Sequence, residues 1–225
     1  MPRTTTADPP PPVPRQPLTR DRVLAAAVDL ADREGIAALS MRRLAGVLGV
    51  EAMTLYYHVK NKDALLDGIM DLVFREFEPA DPVTPWKAAV RAAAVSAHDA
   101  LMRHPWAAEL SFKTGVSQAR LVWMDALLGT LRAAGFSPAM THHAYHALDS
   151  HITGFTLWVV GLPIDDEALP DAAASFLATL PHGGLPHLVE HIEQHVHPTD
   201  DIREFEFGLD LLLDSLERRL AEGRG

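Results

Sequence analysis

Apolar residues recur at helical spacing along nearly the whole chain, and this periodicity constrains the fold more than any other feature. Leu24, Ala27, Val28 and Ala31 follow the i, i+3, i+4, i+7 template, with Thr19 placed to cap the helix and "REGIAAL" ending it at Gly35. Ser40 can cap a short second helix whose inward face is Leu44, Val47 and Leu48. "LGV" breaks that helix, and a third begins in "EAMTLYYHV", running from about Glu51 to His58. Asn61 can cap a fourth, with Leu66, Ile69, Met70, Val73 and Phe77 on one stripe.

"EPADPVTP" then breaks the chain into two parts. Beyond it, Trp86, Val90, Ala94, Ala97 and Leu101 mark a fifth helix that ends near His104-Pro105. Long helical segments follow from about Ser117 to Ala134 and from about Pro138 to Val160. "IDDEALPDAAASFLATLPHGGLP" reads as a long, partly helical loop, followed by a helix from about His187 to His195. The last helix, about Asp201 to Ala221, sets Phe205, Leu209, Leu212, Leu216 and Leu220 on one side. Phe207, Leu211 and Leu213 widen that surface, which implies burial on two sides, the second against another subunit. There is no alternating strand pattern and no internal repeat. The expected class is all-α.

Composition removes several alternatives. The chain of 225 residues has no cysteine, which excludes disulfides, thiolate metal sites and cysteine catalysis. No apolar run approaches the roughly 18 residues of a membrane span, and "MPRTTTADPPPPVPRQP" lacks the apolar centre of a signal peptide. Residues 1–17 read as a disordered, Pro-rich tail; the sharper alternative is a basic arm built on Arg3, Arg15 and Arg20. The overall charge is −10, yet residues 1–62 hold nine Lys/Arg against six Asp/Glu, and the remainder eleven against twenty-four. Only the N-terminal end is therefore suited to an anionic partner.

A short helix, a glycine turn and a second short helix make a helix-turn-helix, whose second helix enters the major groove in DNA-binding versions. That helix here offers Met53, Thr54, Tyr56, Tyr57 and His58, then Lys60 and Lys62. Hydroxyl and lysine groups suit phosphate oxygens, and methyl and ring surfaces suit thymine methyls and sugars. The residues alone also admit a packing motif with core tyrosines. The stretch "LTRDRVLAAAVDLADREGIAALSMRRLAGVLGVEAMTLYYHVKNKDALLDGI" goes further, because it closely resembles the DNA-binding domain of the tetracycline repressor (TetR) family. "AAGFSPAMTHHAYHALDSHITGFTL" and "EFEFGLDLLLDSLERRL" resemble that family's tetracycline-repressor-like C-terminal domain more weakly, so the likeness spans about Leu18 to Leu220.

The resemblance implies a helix-turn-helix DNA-binding domain over 18–62 and a ligand-binding and dimerisation domain over 63–225, with 63–78 as the connecting helix. It implies a cytoplasmic, homodimeric transcriptional regulator, a repressor released from its operator by a small molecule, with no enzymatic role and no cofactor. By motif match, Arg42 and Arg43 start the second helix at the DNA, and Ala52, Met53, Thr54, Tyr56, Tyr57 and His58 lie in the recognition helix. Lys60 and Lys62 follow as backbone contacts. Glutamine or proline often stands where this chain has Ala52 and Met53, so few direct base hydrogen bonds are expected. The dimer is expected from segments near 147–160 and 205–220, with charged substitutions at Leu209 or Leu216 breaking it.

Tetracycline-binding relatives use a histidine in an "HLGT"-like stretch and a later glutamate. Only Thr114 of Ser111-Phe112-Lys113-Thr114 agrees, and no acid lies between His151 and Val160, so the resemblance does not carry over a magnesium–tetracycline chelate. The region instead offers Met102, Trp106, Phe112, Trp123, Leu127, Phe155 and Trp158, with His98, His104, His146 and His151 as polar anchors. Such a lining suits an apolar or aromatic effector, and the same side chains also suit a bundle core. His187, His191 and His195 recur every four residues, and His142, His143, His146 and His151 cluster on another segment. Imidazoles at that spacing can chelate zinc or nickel, which makes a metal-responsive regulator the alternative; otherwise they are solvated helix faces. No nucleophile elbow, phosphate loop or HExxH-like spacing supports a helical enzyme.

Overall fold

The structure, a computed structural model, describes residues 17–111, 113–115, 117–161, 168–180, 185–197 and 203–223. The reading of residues 1–17 as a tail falls almost wholly outside them, as does Phe112. Among the described residues the elements are helices and turns, with no strand. The N-terminal unit comprises α1 (Arg20–Glu34), a 3-10 turn (Ile36–Ala38), α2 (Met41–Leu48), α3 (Ala52–Leu55) and α4 (Lys62–Phe74). Each start is set by side-chain chemistry. Thr19, Ser40 and Asn61 accept from the backbone N–H of Arg22, Arg43 and Ala64 at 3.2, 3.2 and 2.8 Å. α2 stops at Gly49, whose φ of 66° places it in the left-handed region, and the N–H of Val50 closes back onto the Ala45 carbonyl at 3.0 Å. Leu30, Leu39, Leu44, Leu55, Leu65 and Ile69, all fully buried, join these helices into one core. α1 crosses α4 at Gly68, where an added Cβ would lie 2.6 Å from Leu24 Cδ2.

The second part holds α5 (Trp86–Arg103), α6 (Pro105–Leu110), α7 (Gln118–Ala133), α8 (Pro138–Gly161), α9 (Leu169–Thr179), α10 (Pro186–Val196) and α11 (Glu204–Glu222). α8 is its centre, packed by α5, α6, α7 and α11. The alanines Ala89, Ala93, Ala94, Ala97 and Ala100 bury the inner face of α5 and let it lie close to its neighbours. Four ion pairs strap α11 along α5: Lys87 to Asp214 and Glu217, and Arg91 to Glu206 and Asp210. α4 belongs to both parts, touching α1 on one side and α5, α6 and α7 on the other.

Four local expectations change. α3 is one α-helical turn rather than a helix to His58; beyond Leu55 the chain runs on in tight turns. Val47 is 42% exposed, because α2 is anchored by Leu44 and Ala45. Phe77 is buried but lies past the end of α4, edge-on to Phe74 and Trp123 at 5.1 and 5.6 Å. His104-Pro105 does not merely end α5. The proline's fixed φ starts a new helix, α6, at its first position.

Candidate nucleic-acid interface and effector cavity

Leu55 and Val59 are buried and pin the recognition segment to the core. The residues between and beside them point outward. Tyr57 is 88% exposed, Met53 69% and Tyr56 45%, so the tyrosines are not core. Thr54, Ala52 and His58 are half-buried beside them, and Lys60 and Lys62 are exposed where the segment turns into α4. Arg42 is exposed at the start of α2. Arg43 is exposed too, but its guanidinium forks onto Glu34 of α1 at 2.7 and 3.1 Å. That hydrogen bond and the charge behind it hold the Glu34 carboxyl below the usual carboxylate range. The result is a protruding aromatic and hydroxyl ridge ending in two cations. It can fill a groove, touch methyls and sugars, and pair with phosphates.

This ridge is tied to the second part through α4. Asp67 accepts from the Gly115 N–H at 3.0 Å, and Asp71 accepts from Ser117 Oγ at 2.8 Å and the Ala119 N–H at 3.3 Å. Burial raises the Asp71 carboxyl, but these donors and Arg75 outweigh it and hold it low. Just past α4, Glu76 accepts from Arg103 at 2.7 Å and from His104 Nε2 at 3.0 Å. The other ring nitrogen of His104 meets Asp32 of α1 at 2.9 Å, where Trp106 Nε1 also donates at 2.6 Å. His104 and Trp106, expected near an effector, are thus buried at the junction between α1, α4, α5 and α6.

The other effector residues separate into core and cavity. Trp123 donates to the Glu78 carbonyl at 3.1 Å and Leu127 is 1% exposed. Met102 is half-buried, and Thr114 donates to the Leu110 carbonyl at 3.1 Å. His98 stacks on Phe205 at 3.8 Å and reaches Thr156 at 3.2 Å, and His151 Nε2 meets the Phe205 carbonyl at 2.8 Å. Burial pushes the His98 imidazole below its ordinary value. Phe155 and Trp158 line a cleft of about 820 Å³ closed by α9, α10 and the start of α11. Its remaining walls, Val159, Leu169, Phe176, Ile192 and Val196 among them, are largely apolar, and His191, His195 and Glu204 supply the polar groups. The α9 wall is not visible in the sequence, where "LPDAAASFLAT" sits inside a Pro/Gly-punctuated segment that reads only as a long, partly helical loop. Among the described residues, no three His, Asp or Glu side chains converge to hold a metal ion; the His142 ring meets those of His143 and His146 edge-on, and His146 meets Tyr145 in the same way.

Fold and site together define a two-domain helix-turn-helix regulator: a small head presenting a recognition segment, carried by a helical body with a ligand-sized apolar cavity. Residues 23–69 match the model of the bacterial regulatory proteins, tetR family, and residues 78–220 match the tetracyclin repressor-like C-terminal domain. The chain belongs to the TetR family, and its function is that of a ligand-responsive, DNA-binding transcriptional repressor. An HTH-type transcriptional repressor, DrrR1, from Streptomyces coeruleorubidus is 31% identical over 94% of this chain and 82% of its own. An HTH-type transcriptional regulator from Saccharopolyspora erythraea is 37% identical over 61% of this chain, which spans 59% of that relative's length. ActR from Streptomyces coelicolor, solved in complex with actinorhodin, superposes with a TM-score of 0.74 at 29% identity, covering 89% of this chain and 96% of ActR.

Proposed function

We propose that the chain acts as a cytoplasmic homodimer, without catalytic activity, that occupies a two-fold operator and leaves it when an apolar or aromatic molecule fills the cleft beside Trp158. The observation that carries the DNA side is the exposed row Met53, Tyr56 and Tyr57 leading into Lys60 and Lys62. Ala52 and Met53 have no side-chain donors, so base reading falls to methyl and ring contacts and to Thr54, while the lysines and Arg42 set register on phosphates. The proposed dimer rests on α11, whose Phe207 and Leu211 are 50% and 56% exposed in the protomer. Gly154 and Gly161 of α8 have nothing within 4 Å of a would-be Cβ, which leaves room for a partner helix to approach. Leu209 is fully buried inside the protomer and Leu216 nearly so. Charges there would therefore test folding; Leu211 is the position that tests assembly.

Duplex DNA selected from a random pool by the wild-type protein provides the operator. Tyr56→Ala should weaken binding to it, and Lys62→Ala should weaken binding evenly across sequences with a shallower salt dependence. Wild-type affinity in both variants would remove the recognition assignment. Leu211→Glu should sediment as a monomer. For the effector cleft, anilinonaphthalene sulfonate serves as an apolar aromatic probe, and Trp158→Ala should weaken its binding and its release of DNA.

A further inference from the structure

We propose that His104 is a positioning residue for operator binding, locking the DNA-reading head to the body by donating both ring N–H groups, one to each domain contact. The backbone makes this possible. His104 stands alone between α5 and α6 with φ −124° and ψ 68°, and Pro105 restarts the helix, so the ring sits at a break rather than on a helix face. Its two nitrogens face two carboxylates from separate elements, Asp32 at 2.9 Å in the last turn of α1 and Glu76 at 3.0 Å just beyond α4. A neutral imidazole has one donor and one acceptor, so it would aim a lone pair at one carboxylate oxygen. Only the imidazolium satisfies both.

The charges facing the ring agree. Asp32 comes from α1, Glu76 from the segment after α4 and Arg103 from α5, while α6 contributes the Trp106 N–H, which donates to Asp32. Two carboxylates and one guanidinium leave one negative charge, which a protonated His104 neutralises. Burial raises the Glu76 carboxyl, but hydrogen bonds from Arg103 and His104, and then their charges, hold it low. The clamp also connects outward. Asp32 and Glu34 share the last turn of α1, and Glu34 holds Arg43 of α2, so α6 is linked through α1 to the helix that carries the recognition segment. Movement of α5 or α6 on ligand entry would pull on this chain of contacts directly.

The clamp is whole only when both ring nitrogens carry hydrogens; a ring with a single N–H donates to one carboxylate and turns a lone pair on the other. Two variants separate this from a merely structural role. In His104→Gln the second charged donor is gone. In Glu76→Gln the carboxamide can still accept from Arg103 while donating to the bare ring nitrogen, so a neutral His104 keeps both contacts. The selected duplex is titrated with wild type and both variants between about pH 6 and about pH 8.5, a span across which histidine charge changes. At the acid end His104→Gln should bind about tenfold more weakly than wild type, within the usual range of coupling energies. That ratio should fall towards one at the alkaline end, while Glu76→Gln should gain on wild type. His58 and His98 are present in all three proteins and cancel in the ratios. Nitrogen-15 spectra of histidine-labelled wild-type protein, with His104 assigned by its loss in His104→Gln, should show both ring nitrogens protonated at the acid end of that span. A neutral tautomer there, a pH-independent ratio, or wild-type binding by His104→Gln at about pH 6 would overturn the proposal. Should His104→Gln fail to fold by circular dichroism, Glu76→Gln decides it: a ratio to wild type that does not change across the same pH span would overturn the proposal. Failure of wild type to select any duplex would count against DNA recognition itself, not against the clamp.

Discussion

The head formed by α1 to α4 and the hairpin formed by α9 and α10 are both short-helix assemblies, yet they are held in opposite ways. Nearly every turn of the head plants a fully buried side chain: Val23, Ala27, Leu30, Leu39, Leu44, Leu55, Leu65 and Ile69. Neither α9 nor α10 contains a single buried residue, although Phe176 and Leu188 give them apolar surface. A head that reads DNA must present its ridge in one geometry, because contacts to base edges in a groove tolerate little displacement. The hairpin bounds a cavity, and a wall that admits a ligand is drawn from weakly anchored structure. Firm anchoring thus goes with the candidate recognition segment and weak anchoring with the wall of the candidate effector cleft.

The largest effect that could break this comparison is in the head's core. Leu65→Ala should cost about 2–5 kcal/mol, the range for emptying a fully buried leucine site, measured by urea unfolding. A loss well under about 1 kcal/mol would mean that the head is loosely packed after all. Gly49→Ala should cost less, roughly 1–2 kcal/mol, since a φ of 66° strains any Cβ-bearing residue although no neighbour crowds the position. A midpoint unchanged by that substitution would place the turn's conformational demand elsewhere.

The head was the more legible region for the same physical reason that it is the more rigid. Its caps Thr19, Ser40 and Asn61, its turn at Gly49 and its stripe through Ile69 and Val73 are local signals that agree with the tertiary outcome. The misreadings came where tertiary contacts override spacing. Val47 has the spacing of an inward residue but lies on the outer side of α2, and Phe77 keeps the α4 stripe although its helix has ended. The junction was invisible because Asp32, Glu76 and His104 are far apart in sequence, and nothing in "RHPW" announces two carboxylate partners. The residues expected around an effector divide: Phe155 and Trp158 reach the cleft, whereas Trp123 and Leu127 satisfy the same apolar pattern as core. Helical periodicity marks which side chains leave water, and not whether protein or ligand takes its place.

A smaller test lies where the body meets α11. His98 stacks on Phe205, and burial holds its imidazole below the ordinary value of 6.5, with Asp99 and Glu206 favouring the charge and His151 opposing it. A depressed folded-state value means that the neutral ring is the stable one. Its contribution is therefore present above about pH 6.5 and lost as pH falls further, when the unfolded chain takes up the proton first. His98→Gln should flatten the part of the acid limb of unfolding free energy that this ring contributes. An acid limb identical to wild type would show that the stacked ring is not the group being titrated.

The smallest effect is expected in the hairpin, and there the size is itself the evidence. Phe176 is half exposed at 50% and lines the cleft beside Trp158. Truncating it removes little area that folding had withdrawn from water, so Phe176→Ala should shift the urea midpoint by less than about 0.5 kcal/mol. The same truncation removes a wall of the cleft, so binding of anilinonaphthalene sulfonate should weaken by several-fold, a change read by fluorescence. The two measurements divide the possibilities. A stability loss approaching that of Leu65→Ala would make α9 part of the cooperative core and erase the contrast with the head. Unchanged dye binding with unchanged stability would remove Phe176 from the candidate effector cleft.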